Sequence, residues 1–298
     1  MPVESAHAHR PHPFKTAPRL SKLRRSLGRT AAIVSRSARS RRFAPTDKGP
    51  ALRILTYHRV NAVHPGDRLS VHPLAFYRQM DELVKSGRPV VSLEQALPAL
   101  RQEASLPKGA VAVTFDDGFR DNFDNAIPVL RKFGITATFF VATSYVGAEK
   151  GFPRYRGCCN HDRFLSWDQV RCIAAEGHSI GGHSRLHREL AALDPDQVTE
   201  EVEGCRNDID RETEIVSRVF CYPRGSQALE VRKRVEAAGF EGACTVSPGA
   251  NAPGVDLFGL RRTEVSGEDT LDEFRLKLDG AFDGWHRLVQ RIPSWRRK

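Results

Sequence analysis

The chain has 298 residues, 40% hydrophobic and 28% charged, as expected for a soluble globular protein with a sizeable core. No apolar run approaches the roughly 20 residues needed to cross a bilayer. The net charge of +10 lies in residues 1–50, which carry 12 Lys and Arg but only Glu4 and Asp47 as acids. Because residues 51–298 hold 34 basic and 34 acidic residues, the charge gives no reason to expect a nucleic-acid-binding domain.

Residues 1–50 are predicted to form a basic, disordered N-terminal arm. An alternative is a short amphipathic helix on an anionic membrane surface, since Leu20, Leu23 and Leu27 lie among the arginines. An Arg-rich, acid-poor start is also typical of organelle transit peptides, but a secretory signal would need a continuous apolar core. We therefore expect a cytoplasmic protein, with the arm as a candidate contact to the inner membrane surface.

Residues 51–298 are predicted to form one domain in which strands and helices alternate. The first helix illustrates the pattern, because Phe76, Met80 and Leu83 recur on one helical face and Gly87 ends it. In chain order we predict a strand at 54–60, a helix at 73–86, a strand at 89–93, a helix at 93–101, a strand at 110–115, a helix at 122–133, a strand at 136–142, a helix at 167–176, a strand at 178–183, a helix at 195–213, a strand at 218–222, a helix at 229–238, strands at 242–246 and 260–265, and a helix at 271–285.

The continuously apolar strands indicate a mostly parallel sheet covered by helices, either a barrel or an open sheet. Both architectures gather functional residues at the carboxyl ends of their strands. The loop at 147–165 is a candidate substrate-facing insertion. Tyr155, Trp167 and Phe119 are candidate sugar-stacking side chains, although packing is the commoner role for single aromatics. The six cysteines form no CxxC pair, and we expect reduced, mostly buried thiols.

Asp116 and Asp117 directly follow the strand at 110–115, and Gly118 follows them. Adjacent carboxylates repel each other and burial disfavours their charge, a cost that a bound metal ion would remove. The alternative is an Asp-Gly turn in which one carboxylate caps a helix. His183 and His187 follow another strand, and in a helical turn this spacing would put both imidazoles on one face. An HxxxH pair alone is weak evidence for a metal site. Here, however, the aspartate pair and the histidine pair each follow a strand, so both fall on the same rim of the sheet. A carboxylate and two imidazoles together suit a divalent metal such as zinc.

Three segments carry a resemblance to a known family: TFDDG at 114–118, HSRLH at 183–187 and FCYPRG at 220–225. They resemble the first three motifs of the polysaccharide deacetylase family, also called the NodB-homology or carbohydrate esterase 4 group. The resemblance covers about residues 52–265. It implies an α/β fold of the NodB-homology type, a distorted (β/α) barrel of about seven parallel strands.

The resemblance also implies roles for individual residues. Asp117, His183 and His187 would bind the metal, commonly Zn²⁺, and Asp116 would be the general base. A backbone N–H of the third motif would stabilise the oxyanion near Arg224, with Tyr222 in the same segment.

The sequence departs from the family pattern in two places. Cys221 stands where related enzymes often carry an arginine that contacts the base, and Arg261 or Arg262 is the candidate substitute. The late Leu-x-His motif that supplies a general acid is absent. His58, near the end of the first strand, is therefore the candidate acid, with a structural histidine as the alternative.

The implied function is hydrolysis of N-acetyl groups on a carbohydrate, with a chitooligosaccharide or another N-acetylglucosamine-containing glycan as substrate and no nucleic-acid partner. Two alternatives stay open. One is a hydrolase of the same fold acting on a non-sugar amide or ureide, and the other is a non-catalytic glycan-binding relative.

Overall fold

The structure is a computed structural model that describes residues 49–64, 66–149, 151–152 and 163–283. The basic arm (apart from its last two residues), Tyr155, the adjacent cysteines 158 and 159 and most of the 147–165 loop lie outside the described residues. Among the described residues, no helix combines the length and hydrophobicity needed to cross a membrane.

A seven-stranded, wholly parallel sheet forms the centre of the molecule. The strands are β1 (Arg53–Tyr57), β2 (Arg59–Val60), β3 (Ser70–Val71), β4 (Val111–Phe115), β5 (Ala137–Val141), β6 (Ser179–Gly182), β7 (Val219–Cys221), β8 (Gly242–Cys244) and β9 (Thr263–Glu264). The spatial order of the sheet is β8-β7-β6-β5-β4-β1-β9, and a separate pair, β2 with β3, lies outside it.

The sheet curls so that its two edges meet across residues 260–264. Leu260 bridges to Cys244 of β8, while Thr263 and Glu264 pair with β1 on the opposite edge. This arrangement confirms the predicted distorted barrel of about seven parallel strands and excludes the open-sheet alternative.

The helices cover the outside of the barrel and lie close to their predicted positions. They are α1 (Pro73–Lys85), α2 (Leu93–Leu100), α3 (Ile127–Phe133), α4 (Trp167–Ala175), α5 (Pro195–Thr213), α6 (Leu229–Ala237) and α7 (Leu271–Leu278). Capping boxes begin α2, α4 and α7 at Ser92, Ser166 and Thr270.

Several predicted elements need correction. The strand at 54–60 breaks at His58 into β1 and β2, and the strand at 89–93 is reduced to a bridge between Val90 and Val111. The helix at 122–133 begins as a π-helical turn, Asn122–Ala126, in which the Ile127 N–H donates to Asn122 O. Pro128 follows and has no N–H to donate, which favours this irregular start. The helix predicted at 271–285 ends at Leu278, with Asp279 as its cap; residues 284 and 285 lie outside the described residues.

Strand alternation decides which side chains reach the barrel interior. On β4, Val111, Val113 and Phe115 pack with the helix-covered layer, whereas Ala112 belongs to the cluster that fills the barrel. Because side chains alternate along a strand, Asp116, which follows β4, continues the inward-facing series of Ala112 and Thr114. The sheet therefore presents the first of the two carboxylates at the carboxyl mouth of the barrel.

Candidate active site

Asp117, His183 and His187 converge at the mouth of the barrel. Asp117 Oδ1 lies 3.3 Å from His183 Nε2 and 3.2 Å from His187 Nε2. One ligand atom from each of the three residues lies within 4.8 Å of the others, and the side chains are nearly inaccessible to solvent. The chain leaves β4 through a tight turn with positive φ at Asp117 (75°) and Gly118 (74°), which brings the second carboxylate toward the histidines.

The surroundings of the two imidazoles suit metal ligation. His183 Nδ1 lies 2.7 Å from the carbonyl oxygen of Cys221, and a carbonyl can only accept. The Nδ1–H therefore donates to Cys221, which leaves Nε2 as the ring atom that faces Asp117, as in many metal-binding histidines. The ring of Phe152 stacks on His187, with centroids 4.5 Å apart, and supports that imidazole on its apolar side.

The Asp117 carboxylate is held in its charged form. Burial raises its pKa, but the charge of His187 and hydrogen bonds from His183 and His187 outweigh burial and bring the pKa well below the usual value. Because a carboxylate and two imidazoles with converging ligand atoms are a donor set that zinc prefers, these residues fit a divalent metal.

Asp116 makes a different set of contacts from its neighbour. The Arg262 guanidinium donates two hydrogen bonds of 2.7 Å, one to each carboxylate oxygen, and both side chains are buried. Burial raises the pKa of Asp116, but Arg262 outweighs this effect with its charge and its hydrogen bonds, and His183 and His58 contribute, so the pKa is lowered. Asp116 is therefore ionised at neutral pH.

Arg262, not Arg261, is the arginine that contacts the candidate base. Its Nε donates to the Thr245 carbonyl oxygen (2.9 Å), and its Nη2 lies 3.0 Å from Cys221 Sγ. The Cys221 thiol also lies 3.6 Å from Asp116 Oδ2. Residues 260–264, which close the barrel, thus supply the guanidinium next to Cys221, the position where related enzymes often carry an arginine.

A second cluster, Asp116, His183 and Cys221, also brings three potential ligand atoms together. Arg262 already neutralises Asp116, and burial raises the pKa of the Cys221 thiol well above its usual value, so this thiol is neutral. A neutral thiol beside a guanidinium is a poor cation site, because metals bind the thiolate. The cluster centred on Asp117 is the better metal site.

His58 is another basic side chain close to Asp116 that the sequence singled out. Its Nε2 is 3.9 Å from Asp116 Oδ2, and its side chain is 17% exposed, so the ring can reach both the base and the cleft. The amide of Asn122 donates to the His58 carbonyl oxygen (2.8 Å), while His58 Nδ1 is buried without a hydrogen-bond partner among the described residues.

Of the two third-motif residues predicted to lie in the site, Arg224 lines the cleft but Tyr222 does not. Tyr222 does not reach the cleft: its N–H donates to Cys244 O (3.1 Å) in the sheet, and its buried ring packs in the core with its hydroxyl bonded to Phe258 O. The tyrosine directly continues β7, and its amide is therefore used in strand pairing. Arg224 does line the cleft; it has a positive φ of 56° and forms an ion pair with Glu189.

An open cleft of about 160 Å³ lies over these groups. Nine of the eleven residues that line it are polar or charged, and the lining consists of Thr56, His58, Leu69, Asp116, Asp117, His183, His187, Arg224, Val246, Arg262 and Glu264. Of the aromatics proposed for sugar stacking, Phe119 is buried against Phe152 and Phe164, and Trp167 packs on the core, so packing explains both.

Comparisons with known proteins agree with this architecture. The family model described as polysaccharide deacetylase matches residues 103–243. YxkH of Bacillus subtilis, whose name provisionally assigns it to the polysaccharide deacetylases, is 30% identical over 221 residues, 74% of each chain. A poly-β-1,6-N-acetyl-D-glucosamine N-deacetylase of Escherichia coli K12 is 30% identical over 123 residues, which are 40% of this chain but only 18% of that enzyme.

Among solved structures, the Streptococcus pyogenes deacetylase PplD, in complex with acetate, superposes with a TM-score of 0.67 at 22% identity and covers 77% of this chain and 99% of its own. The fold and the matched sequence identify a hydrolase built on a curled parallel β/α sheet. More specifically, the chain belongs to the polysaccharide deacetylase family, which confirms the resemblance seen in the sequence motifs.

Proposed function

We propose that this protein is a metal-dependent deacetylase that removes the N-acetyl group from an N-acetylglucosamine-containing glycan. The observation that carries the proposal is the approach of Asp117 Oδ1 to within 3.3 Å of both imidazoles, directly beside an ionised Asp116. Two chain-distant motifs thus meet in one open cleft.

Asp117, His183 and His187 would hold the metal, for which Zn²⁺ is the first candidate because of the imidazole and carboxylate donors. A divalent ion bound there supplies Lewis-acid chemistry, since it polarises a carbonyl and lowers the pKa of a water ligand to roughly 7. The Cys221 carbonyl fixes the tautomer of His183 that leaves Nε2 as the ligand atom.

Asp116 is proposed as the general base that takes a proton from the attacking water. Its lowered pKa keeps it ionised, and the two hydrogen bonds from Arg262 hold both oxygens in a fixed orientation. Hydrolysis forms a bond from the water oxygen to the acetyl carbon and breaks the carbon–nitrogen bond. His58 is proposed to protonate the leaving nitrogen, because it lies beside Asp116 on the cleft wall.

A carbohydrate substrate is proposed from the polar lining of the cleft and from the relatives. The Escherichia coli enzyme that matches part of this chain acts, by its name, on a polymer of N-acetyl-D-glucosamine. Arg224 and Glu264 on the cleft lining can form hydrogen bonds with sugar hydroxyls. Chitooligosaccharides and β-1,6-linked N-acetylglucosamine oligomers are therefore the first substrates to test.

The test combines metal analysis of the purified protein with an acetate-release assay on both oligosaccharide types and on small cyclic amides. We expect one equivalent of divalent metal and acetate release from the glycans. Asp116→Asn should keep the metal and lose turnover, because the amide cannot accept the proton. A metal-loaded Asp116→Asn protein with full activity would refute the role of Asp116, and a metal-loaded wild type active only on cyclic amides would refute the substrate class.

A further inference from the structure

The segment between the two histidines has an unusual backbone. Ser184 and His187 both have positive φ, 58° and 53°, a conformation that non-glycine residues rarely adopt. Such residues persist only where the surroundings hold them in place. Within the segment, the His187 N–H donates to Ser184 Oγ (3.0 Å), but this single bond links two strained residues and anchors neither to the rest of the protein.

Helix α5 supplies the external support. Glu201, Cys205 and Asp208 are spaced i, i+4 and i+7, which puts them on one helical face, and all three are buried. Cys205 lies under the end of β6, because a Cβ added to Gly182 would meet its Sγ at 3.2 Å. The acidic residues lie on either side of this contact along the helix.

Glu201 reaches the middle of the histidine segment. Its Oε2 accepts a hydrogen bond of 2.8 Å from the Leu186 N–H, and Oε1 lies 4.0 Å from Nη1 of Arg188. Leu186 directly precedes His187, while the Leu186 side chain itself is about half exposed. The carboxylate therefore holds the backbone, not the side chain, one residue before the imidazole.

Asp208 holds the beginning of the same segment. Its Oδ2 accepts hydrogen bonds from Arg185 Nε (3.0 Å) and from Thr143 Oγ1 (2.8 Å). The backbone carbonyls of Ser184 and Arg185 accept from the N–H groups of Thr143 and Ser144. The first half of the segment is thus fixed by several bonds, whereas Glu201 is the support from α5 for the half that ends at His187.

We propose that Glu201 is a positioning residue for His187: its buried carboxylate holds the strained backbone that presents this imidazole to the metal. The inference rests on the proposed metal site. A buried carboxylate is costly unless it is hydrogen-bonded, and Glu201 directs one oxygen to a backbone amide of the histidine segment. Outer groups of this kind commonly change metal affinity about 10- to 100-fold when they are removed.

The experiment measures Zn²⁺ affinity by competition with a chromophoric chelator in wild type, Glu201→Ala, Glu201→Gln and Glu203→Gln. Glu203 is an exposed acid on the same helix, so its variant controls for the loss of charge. We expect Glu201→Ala to bind about 10- to 100-fold more weakly. Glu201→Gln should lose only about three- to tenfold, because its amide oxygen still accepts from Leu186 but without charge. The control should match wild type.

Circular dichroism and thermal unfolding of the metal-free proteins separate positioning from folding. Folded Glu201→Ala with wild-type affinity overturns the proposal, and if that variant does not fold, wild-type affinity in Glu201→Gln overturns it equally. A graded loss of affinity in folded variants supports it. Should the wild type itself bind no Zn²⁺, the metal site fails, and this inference fails with it for a separate and visible reason.

Discussion

Replacing Arg262 with methionine removes both hydrogen bonds to Asp116 while keeping a shorter, unbranched apolar side chain in their place. The pair is buried on both sides, with 3% and 4% of the side chains exposed, so the variant leaves an unpaired carboxylate in the barrel. Breaking a buried pair in this way costs about 3–5 kcal/mol of folding stability. With the guanidinium gone, burial dominates and the pKa of Asp116 rises above that in the wild type.

The loss of Arg262 should also change the pH dependence of the reaction rate in a defined direction. A general base must be deprotonated, so the acidic limb of the pH–rate profile should move to higher pH in Arg262→Met. Because the base also loses its fixed orientation, we expect kcat to fall about 100-fold at neutral pH, at the lower end of what general-base catalysis contributes.

The assay measures acetate release between about pH 5 and pH 9 for the wild type, Arg262→Met and Arg261→Met, each with metal content determined. Arg261 is the exposed neighbour, and its variant should behave like the wild type. If the acidic limb of the pH–rate profile stays in place in a folded, metal-loaded Arg262→Met protein, Arg262 does not set the pKa of Asp116.

Three further outcomes are expected. His58→Gln should lower kcat about 100-fold on acetylated amino sugars but less than about tenfold on p-nitrophenyl acetate, whose leaving group needs no proton; equal losses on both would contradict the role of a general acid. Burial raises the pKa of Cys244 to about 12, whereas Cys172 is exposed, so iodoacetamide should alkylate Cys172 at least about tenfold faster in peptide mapping. Hydrogen bonding to Arg218 helps to lower the pKa of Glu241 to about 2. The folding stability that this ionised carboxylate contributes is therefore fully present above about pH 4.3 and is lost as the pH falls toward 2. Glu241→Gln should therefore remove about 1 kcal/mol of stability at neutral pH, a figure reduced for its partial exposure, and the difference from wild type should vanish in acid denaturation measurements near pH 2.

Much of the fold follows from local patterns in the sequence. The apolar run before Asp116 is typical of a buried strand, and helix α5 is found at its predicted bounds, 195–213, because Asp194 caps it and Pro195 begins it. The meeting of Asp117 with the two histidines also follows, since side chains after parallel strands share one rim.

Other features depend on contacts between distant segments. Arg261 and Arg262 are equivalent in the sequence, and only the pairing of 260–264 with both sheet edges decides which one turns inward. Tyr222 belongs to the third motif, which predicts a place in the site, but its N–H donates to Cys244 of β8. Nothing in the charged sequence of α5 distinguishes Glu201 from its exposed neighbours except helical spacing relative to a loop that the sequence does not position.

Among the described residues, the strand that completes the barrel is also the last in sequence, and Arg262, which directly precedes it, contacts Asp116. During synthesis, the proposed metal ligands at positions 117, 183 and 187 emerge before this guanidinium. A chain that stops short of residue 262 would contain the proposed metal ligands but lack the guanidinium that lowers the pKa of Asp116. The proposed base therefore gains its counter-charge only when residues 260–264 join the two edges of the sheet.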